Sequence, residues 1–184
     1  MIVLSGPSAS GKTEVAKTLA KKYGITKVIT TTTRPIRINE RNNVDYFFVD
    51  NKRFEEMISE DRFVEYAFYN GNYYGSTKDQ IETHKCIVVE AKGLQAYLKL
   101  KDKNIVTFLL KSYEKTRYNR MISRGDLPED ALRRIENDKT YFNDKVMKSG
   151  DFLIDSQRKS VEEVADIIHE LYINTLKQRG LLDK

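Results

Sequence analysis

The chain has 184 residues, of which 40% are hydrophobic and 32% charged, with 32 Lys+Arg against 27 Asp+Glu, no Trp and one Cys. That length suits one domain with a sizeable core, and the composition fits a globular chain better than a membrane-embedded or disordered one. The net charge of +5 is compatible with nucleic acid, an anionic membrane or phosphorylated small molecules, and does not choose among them. The lone cysteine cannot form an internal disulfide, and Cys86 within CIVVE reads as a small buried strand residue. The opening apolar run is far short of a secretory segment or a roughly 20-residue membrane span, so a cytoplasmic location is the expectation.

In chain order, IVLS, KVITTTT, CIVVE, NIVTFLL and DFLID are short, β-branched runs bounded by polar segments, and each predicts a buried strand. Helical periods lie between and after them. In the last of these Val161, Val164, Ile168 and Leu171 share a face, and Ser160 with Glu163 forms a capping box. This alternation implies an α/β fold with a parallel sheet flanked by helices. Two regions break it. From Asp45 to Ser76 the chain reads DYFFV, a short helix around Phe54, Met57 and Ile58, then FVEYAFYNGNYYGS, which predicts a small antiparallel sheet turning at Asn70-Gly71. From Tyr113 to Lys148 it is helical and rich in Arg, broken by Gly125 and Pro128, and predicts a mobile helical flap.

The first strand runs into GPSASGKT, which fits G-x-x-x-x-G-K-[ST] at Gly6, Gly11, Lys12 and Thr13 and precedes a helix burying Val15, Ala16 and Leu19. Glycines let backbone N–H groups turn toward phosphate oxygens, and the helix N-terminus adds partial positive charge. Lys12 reaches the β/γ-phosphates and the Thr13 hydroxyl suits Mg²⁺. A nucleoside triphosphate site follows, with hydrolase, motor, switch and kinase all still open.

Three further clusters look chemical. In TTTTRPIRINE, Arg34 and Arg37 flank a short rigid segment and suit one phosphate; a solvated basic loop is the plain alternative. In YNGNYYGST, Tyr73, Tyr74, Ser76 and Thr77 surround two glycines with Glu65 upstream, able to stack on a base and bond its edge, or merely to build a hairpin. Arg117, Arg120, Arg124, Arg133 and Arg134 crowd the flap, either as solvated surface or as charges that close over a triphosphate.

Together GPSASGKT, TTTRPIRINE with VDYFFV, FVEYAFYNGNYYGST and RGDLPEDALRRI resemble the guanylate kinase family over almost the whole chain. The resemblance implies a P-loop core (1–32, 86–112 and 149–184), a β-rich GMP-binding subdomain (about 33–85) and a helical lid (about 113–148) within a single domain spanning 1–184. It implies transfer of the γ-phosphoryl of MgATP to GMP or dGMP. Gly6, Ser8, Ala9, Ser10, Gly11, Lys12 and Thr13 would hold ATP, with Thr13 on Mg²⁺. Arg34, Arg37, Tyr46 and Tyr74 would hold the GMP phosphate, assisted by Thr30; Glu65 and Ser76 would bond guanine, and Glu90 would stand near the acceptor. Lys12, Arg34, Arg120, Arg124 and Arg134 would be the catalytic charges.

The chain departs from the family pattern at VVEAKG, where Val88 replaces an Asp, Glu90 a second Asp and Lys92 a Gln; at Ala9, which replaces a Gly and is tolerable there if φ stays below zero; and at Asp155-Ser156. A kinase with another phosphorylated acceptor, or a guanylate kinase-like interaction module without catalysis, are the alternatives. ATP and GMP are the expected partners, with neither nucleic acid nor membrane, and the sequence leaves monomer and homodimer open.

Overall fold

Short strands buried on both faces can satisfy their backbone groups only beside one another, and helices must then cover the sheet. The computed structural model describes residues 1–183. The first half runs β1 (Ile2–Ser5), α1 (Lys12–Tyr23), β2 (Thr26–Lys27), β3 (Thr31–Thr32), β4 (Phe47–Phe48), α2 (Asn51–Ser59), β5 (Phe63–Tyr69), β6 (Asn72–Thr77) and β7 (Lys85–Val88). The second half runs α3 (Ala91–Leu100), β8 (Val106–Lys111), α4 (Glu114–Ser123), α5 (Pro128–Tyr141), α6 (Asp144–Met147), β9 (Phe152–Asp155) and α7 (Val161–Gln178).

The central sheet has the order β2-β7-β1-β8-β9, every pair parallel. On one face Ile2, Leu4, Val15, Leu19, Phe108 and Ile168 form a core beneath α1 and α7. On the other Met1, Val3, Leu94, Tyr97 and Leu109 pack under α3. The apolar stripe of α7 explains its place: Val164, Ala165, Ile168, Tyr172 and Leu176 are all at most 1% exposed, and full burial of each large apolar side chain contributes about 1.5–3 kcal/mol. Its start is set by the capping box, in which Ser160 Oγ accepts from Glu163 N and Glu163 accepts from Ser160 N.

The expected single strand KVITTTT divides. Thr26–Lys27 pairs with β7 in the parallel sheet, whereas Thr31–Thr32 pairs with β4 and β6 in a second sheet of order β4-β3-β6-β5. Its polar threonines belong beside the subdomain, and the crossing falls between Val28 and Thr30. The second sheet is mixed rather than wholly antiparallel, because β3 and β4 run parallel. Its hairpin turns at Asn70 and Gly71, with φ of 47° and 76°, the two positive values that a tight twisted turn requires. Its small core is aromatic: Phe54 stacks on Phe63 at 4.4 Å and on Tyr73 at 5.0 Å. The Arg-rich segment forms α4, α5 and α6, with Gly125 at φ 93° and Pro128 opening α5 at the expected break. Among the described residues no helix is long and apolar enough to cross a membrane.

Candidate active site

The strand β1 delivers the chain into the Gly6–Thr13 loop, and α1 begins at Lys12. Gly6 has φ 138°, and a Cβ there would lie 2.3 Å from the Leu110 carbonyl oxygen, a backbone atom that cannot yield. Gly11 has φ 103°. Ala9 has φ 58°, so the condition under which an alanine would sit here without strain, a φ below zero, is not met, and this loop holds a non-glycine residue in the left-handed region. The first N–H groups of α1 have no intrahelical acceptors and are available to an anion.

Lys12 is 8% exposed, and its Nζ donates to the carbonyls of Gly6 at 2.6 Å and Pro7 at 3.0 Å. Burial holds its pKa below the ordinary lysine value, opposed by the carboxylates of Glu90 and Asp138 and reinforced by Arg117 and Arg124. Thr13 is exposed at the edge of the central cavity.

The loop is braced from outside by Asp138, which the sequence did not single out, and by Arg117 and Ser156. Asp138 on α5 accepts from Ser8 N at 2.9 Å and Ser8 Oγ at 3.3 Å, and pairs with Arg117 on α4 at 2.6 Å. Arg117 also donates to the Ser8 carbonyl at 3.2 Å. Ser156 Oγ donates to the Ser10 carbonyl at 3.1 Å, so the Asp155-Ser156 departure has a bracing contact in this chain. Two buried side-chain atoms here have no partner among the described residues, Ser10 Oγ and Arg117 Nε.

Of the flap arginines, Arg120 donates to the Ala9 carbonyl at 3.2 Å. Arg124 and Arg134 both face Asp126, at 2.6 Å and 3.4 Å, and remain half exposed. Arg133 pairs with Asp130 on the surface. Met121, Ala131 and Ile135 form the flap's own core, against which Ala9 packs. The α4–α5 pair therefore grips the loop directly.

On the second sheet, Arg34 lies 5.3 Å from the Tyr46 ring and donates to Glu40 at 2.7 Å. Tyr46 and Tyr74 meet edge to face at 6.3 Å, and neither phenol hydroxyl has a protein partner among the described residues. The Arg34 guanidinium, then the Arg37 backbone N–H, hold the Glu40 carboxyl below its ordinary pKa. The Arg37 side chain is exposed. Glu65 accepts from Ser76 Oγ at 2.8 Å, and Ser76 in turn accepts from Tyr97 at 3.0 Å.

A cavity of about 1290 Å³ separates the two sheets, larger than the roughly 300–1,000 Å³ usual for one small ligand. Thr13, Thr30, Glu65 and Glu90 line it, together with Val88 and Lys92. Glu90 stands at the N-terminus of α3 without capping it. Arg34, Arg37, Tyr46, Tyr74, Ser76 and the flap arginines lie outside that lining; Arg120 touches the loop through the Ala9 carbonyl and Ser76 reaches the cavity wall through Glu65.

A parallel sheet feeding a glycine-framed loop and a buried lysine, with a second sheet across a shared cavity, defines a nucleotide-binding protein of the α/β class. The guanylate kinase family model matches residues 1–171. A guanylate kinase of Fusobacterium nucleatum is 33% identical over 145 residues, covering 74% of this chain and 78% of that one. Another, of Clostridioides difficile, is 30% identical over 177 residues, covering 91% and 86%. The solved guanylate kinase of Anaplasma phagocytophilum shares the fold with a TM-score of 0.56 at 20% identity, covering 100% of this chain and 96% of that one. The chain belongs to the guanylate kinase family.

Proposed function

We propose that this chain transfers the γ-phosphoryl group of MgATP to GMP, or dGMP, giving ADP and GDP. The observation that carries this reading is that Glu65 on the second sheet and Thr13 at the foot of the phosphate loop face one cavity. The loop suits a donor triphosphate, and an acceptor-only carboxylate opposite it suits the N1–H and 2-amino donors of guanine. Adenine lacks the 2-amino donor and would leave the carboxylate underbonded, at a cost of about 1–3 kcal/mol.

Phosphoryl transfer asks little covalent work of the protein, so catalysis is positioning and electrostatics. A GMP phosphate oxygen forms the new bond to the γ-phosphorus as the bond to the β–γ bridging oxygen breaks, and ADP leaves. In this reading loop amides and Lys12 hold the donor, and Lys12 exchanges the Gly6 and Pro7 carbonyls for phosphate oxygens. Arg34, Arg37, Tyr46 and Tyr74 hold the acceptor phosphate, with Thr30 beside them; Arg120, Arg124 and Arg134 offset the charge that spreads over the transferring group. Arg124 and Arg134 would leave Asp126 for the phosphates. Closure of the second sheet toward the loop, with Arg124 at the end of α4 and Arg134 of α5 turning onto the phosphates, would bring the acceptor to the donor and keep water from the γ-phosphate.

Mg²⁺ fits the donor set, since it takes oxygen ligands and keeps several waters and phosphate oxygens. The exposed hydroxyl of Thr13 would hold it, with Glu90 on the same cavity wall; when bound, it would neutralise phosphate charge. Val88 supplies no ligand. The unit boundaries that go with this reading are a core, a GMP-binding subdomain of about 33–85 whose sheet also takes in Thr31–Thr32, and a lid of about 113–148 containing α4 to α6. A cytoplasmic location, where ATP and GMP are available, goes with it. ADP formation from MgATP in the presence of GMP, dGMP, AMP, CMP or UMP tests the acceptor: turnover with GMP and dGMP supports the reading, and turnover with another monophosphate in preference to both contradicts it.

A further inference from the structure

Tyr97 lies on α3, in the core face of the parallel sheet rather than in the cleft, yet its hydroxyl reaches the second sheet. It is 1% exposed and donates to Ser76 Oγ at 3.0 Å; Ser76, also 1% exposed, donates to Glu65 Oε1 at 2.8 Å. The direction of this chain is fixed by counting protons. The Tyr97 hydroxyl has no other acceptor among the described residues, so a reversed bond would strand a buried proton. Burial pushes the phenol's pKa above its ordinary value, which keeps that proton in place. Ser76 accepts from Tyr97 and has a single proton to give, which goes to Glu65. Glu65 lines the cavity and Ser76 does not. The carboxylate is thereby held as an acceptor at the cavity wall by a bond anchored in the protein's main core.

The geometry points to Tyr97 as a positioning residue for purine selection, acting through Ser76 to fix the Glu65 carboxylate that accepts from the guanine 2-amino group. This rests on the proposed GMP acceptor role. Without the phenol, the Ser76 hydroxyl can rotate away and Glu65 loses its fixed orientation. The substrate pair that isolates this effect is GMP and inosine monophosphate. They share the phosphate, ribose, N1–H and 6-oxo group and differ only in the 2-amino group.

The test is the ratio of kcat/KM for GMP over inosine monophosphate in Tyr97→Phe, which keeps the ring and removes the hydroxyl. The expected result is a fall of about fivefold, the worth of one net hydrogen bond, carried by KM for GMP with kcat unchanged. An unchanged ratio, or a parallel loss on both substrates, overturns the relay. Ser76→Ala cuts the relay without disturbing the core ring and is expected to lower the same ratio, so a poorly folding Tyr97→Phe does not shelter the proposal. In a Glu65→Gln background Tyr97→Phe is expected to change the ratio no further, whereas additive losses contradict action through Glu65. Absence of GMP phosphorylation by the unaltered protein would overturn the acceptor reading and the relay with it; GMP turnover with an unchanged variant ratio overturns the relay alone.

Discussion

Arg117 and Asp138 form a buried ion pair of 2.6 Å whose carboxylate also holds the Ser8 backbone, joining two helices of the lid region to the phosphate loop. Both partners are under 10% exposed, so solvent cannot compensate the loss of either. Asp138→Ala is expected to cost about 3–5 kcal/mol, because it strands a buried guanidinium. Asp138→Asn keeps an acceptor for Ser8 N and is expected to cost less. Urea unfolding measures both, and an Asp138→Ala variant within about 0.5 kcal/mol of the parent would show that the pair is not a brace.

Among the described residues Lys12 makes no bond to a carboxylate, only to two carbonyls of its own loop. Lys12→Ala is therefore expected to leave the fold intact while cutting GMP-dependent ADP formation by at least about 100- to 1,000-fold, the scale for one preorganised charge-stabilising donor. Circular dichroism and steady-state kinetics check the two halves. A folded variant with near-normal turnover would remove Lys12 from the chemistry.

Ala9 carries opposing effects. Its φ of 58° costs about 1–2 kcal/mol for a residue with a Cβ, while its half-buried methyl packs on the Met121 cluster. Gly at this position relieves the strain, loses about 0.4 kcal/mol of methyl contact and adds about 0.4–1 kcal/mol of unfolded-state entropy. The expected outcome for Ala9→Gly is a change in stability within about 1 kcal/mol, most readily a small gain. Thermal unfolding reads it, and a loss above that bound would mean the methyl contact with the lid outweighs the strain.

Cys86 is 2% exposed in β7, and burial pushes its thiol up to about 12. At pH 8 roughly one thiol in ten thousand is then ionised. Iodoacetamide is expected to leave the folded protein unmodified and to alkylate it in denaturant, as mass spectrometry would record. Rapid native-state alkylation would contradict the burial.

The legible parts of this molecule were the local ones. GPSASGKT after IVLS, the Asn70-Gly71 turn and the Ser160–Glu163 capping box each carry their geometry in a few adjacent residues. KVITTTT carries no sign of its division, because β-branched residues suit either sheet and the choice lies with partners about 40–60 residues away in β6 and β7. Asp138 was missed for a similar reason. An acidic residue on an amphipathic helix looks like solvated surface until α4 and the loop close around it. The seryl hydroxyl of Ser76 was expected to bond guanine; in the structure it donates to Glu65 and accepts from Tyr97 of the core, a link the sequence did not suggest. No period or spacing in α3 distinguishes that tyrosine from an ordinary core aromatic.

The most direct measurement is the fate of the γ-phosphorus when the protein is given MgATP and GMP together, followed by phosphorus NMR. ADP and GDP are expected to appear in equal amounts, with little inorganic phosphate. ADP accompanied by inorganic phosphate and no GDP would contradict phosphoryl transfer to GMP.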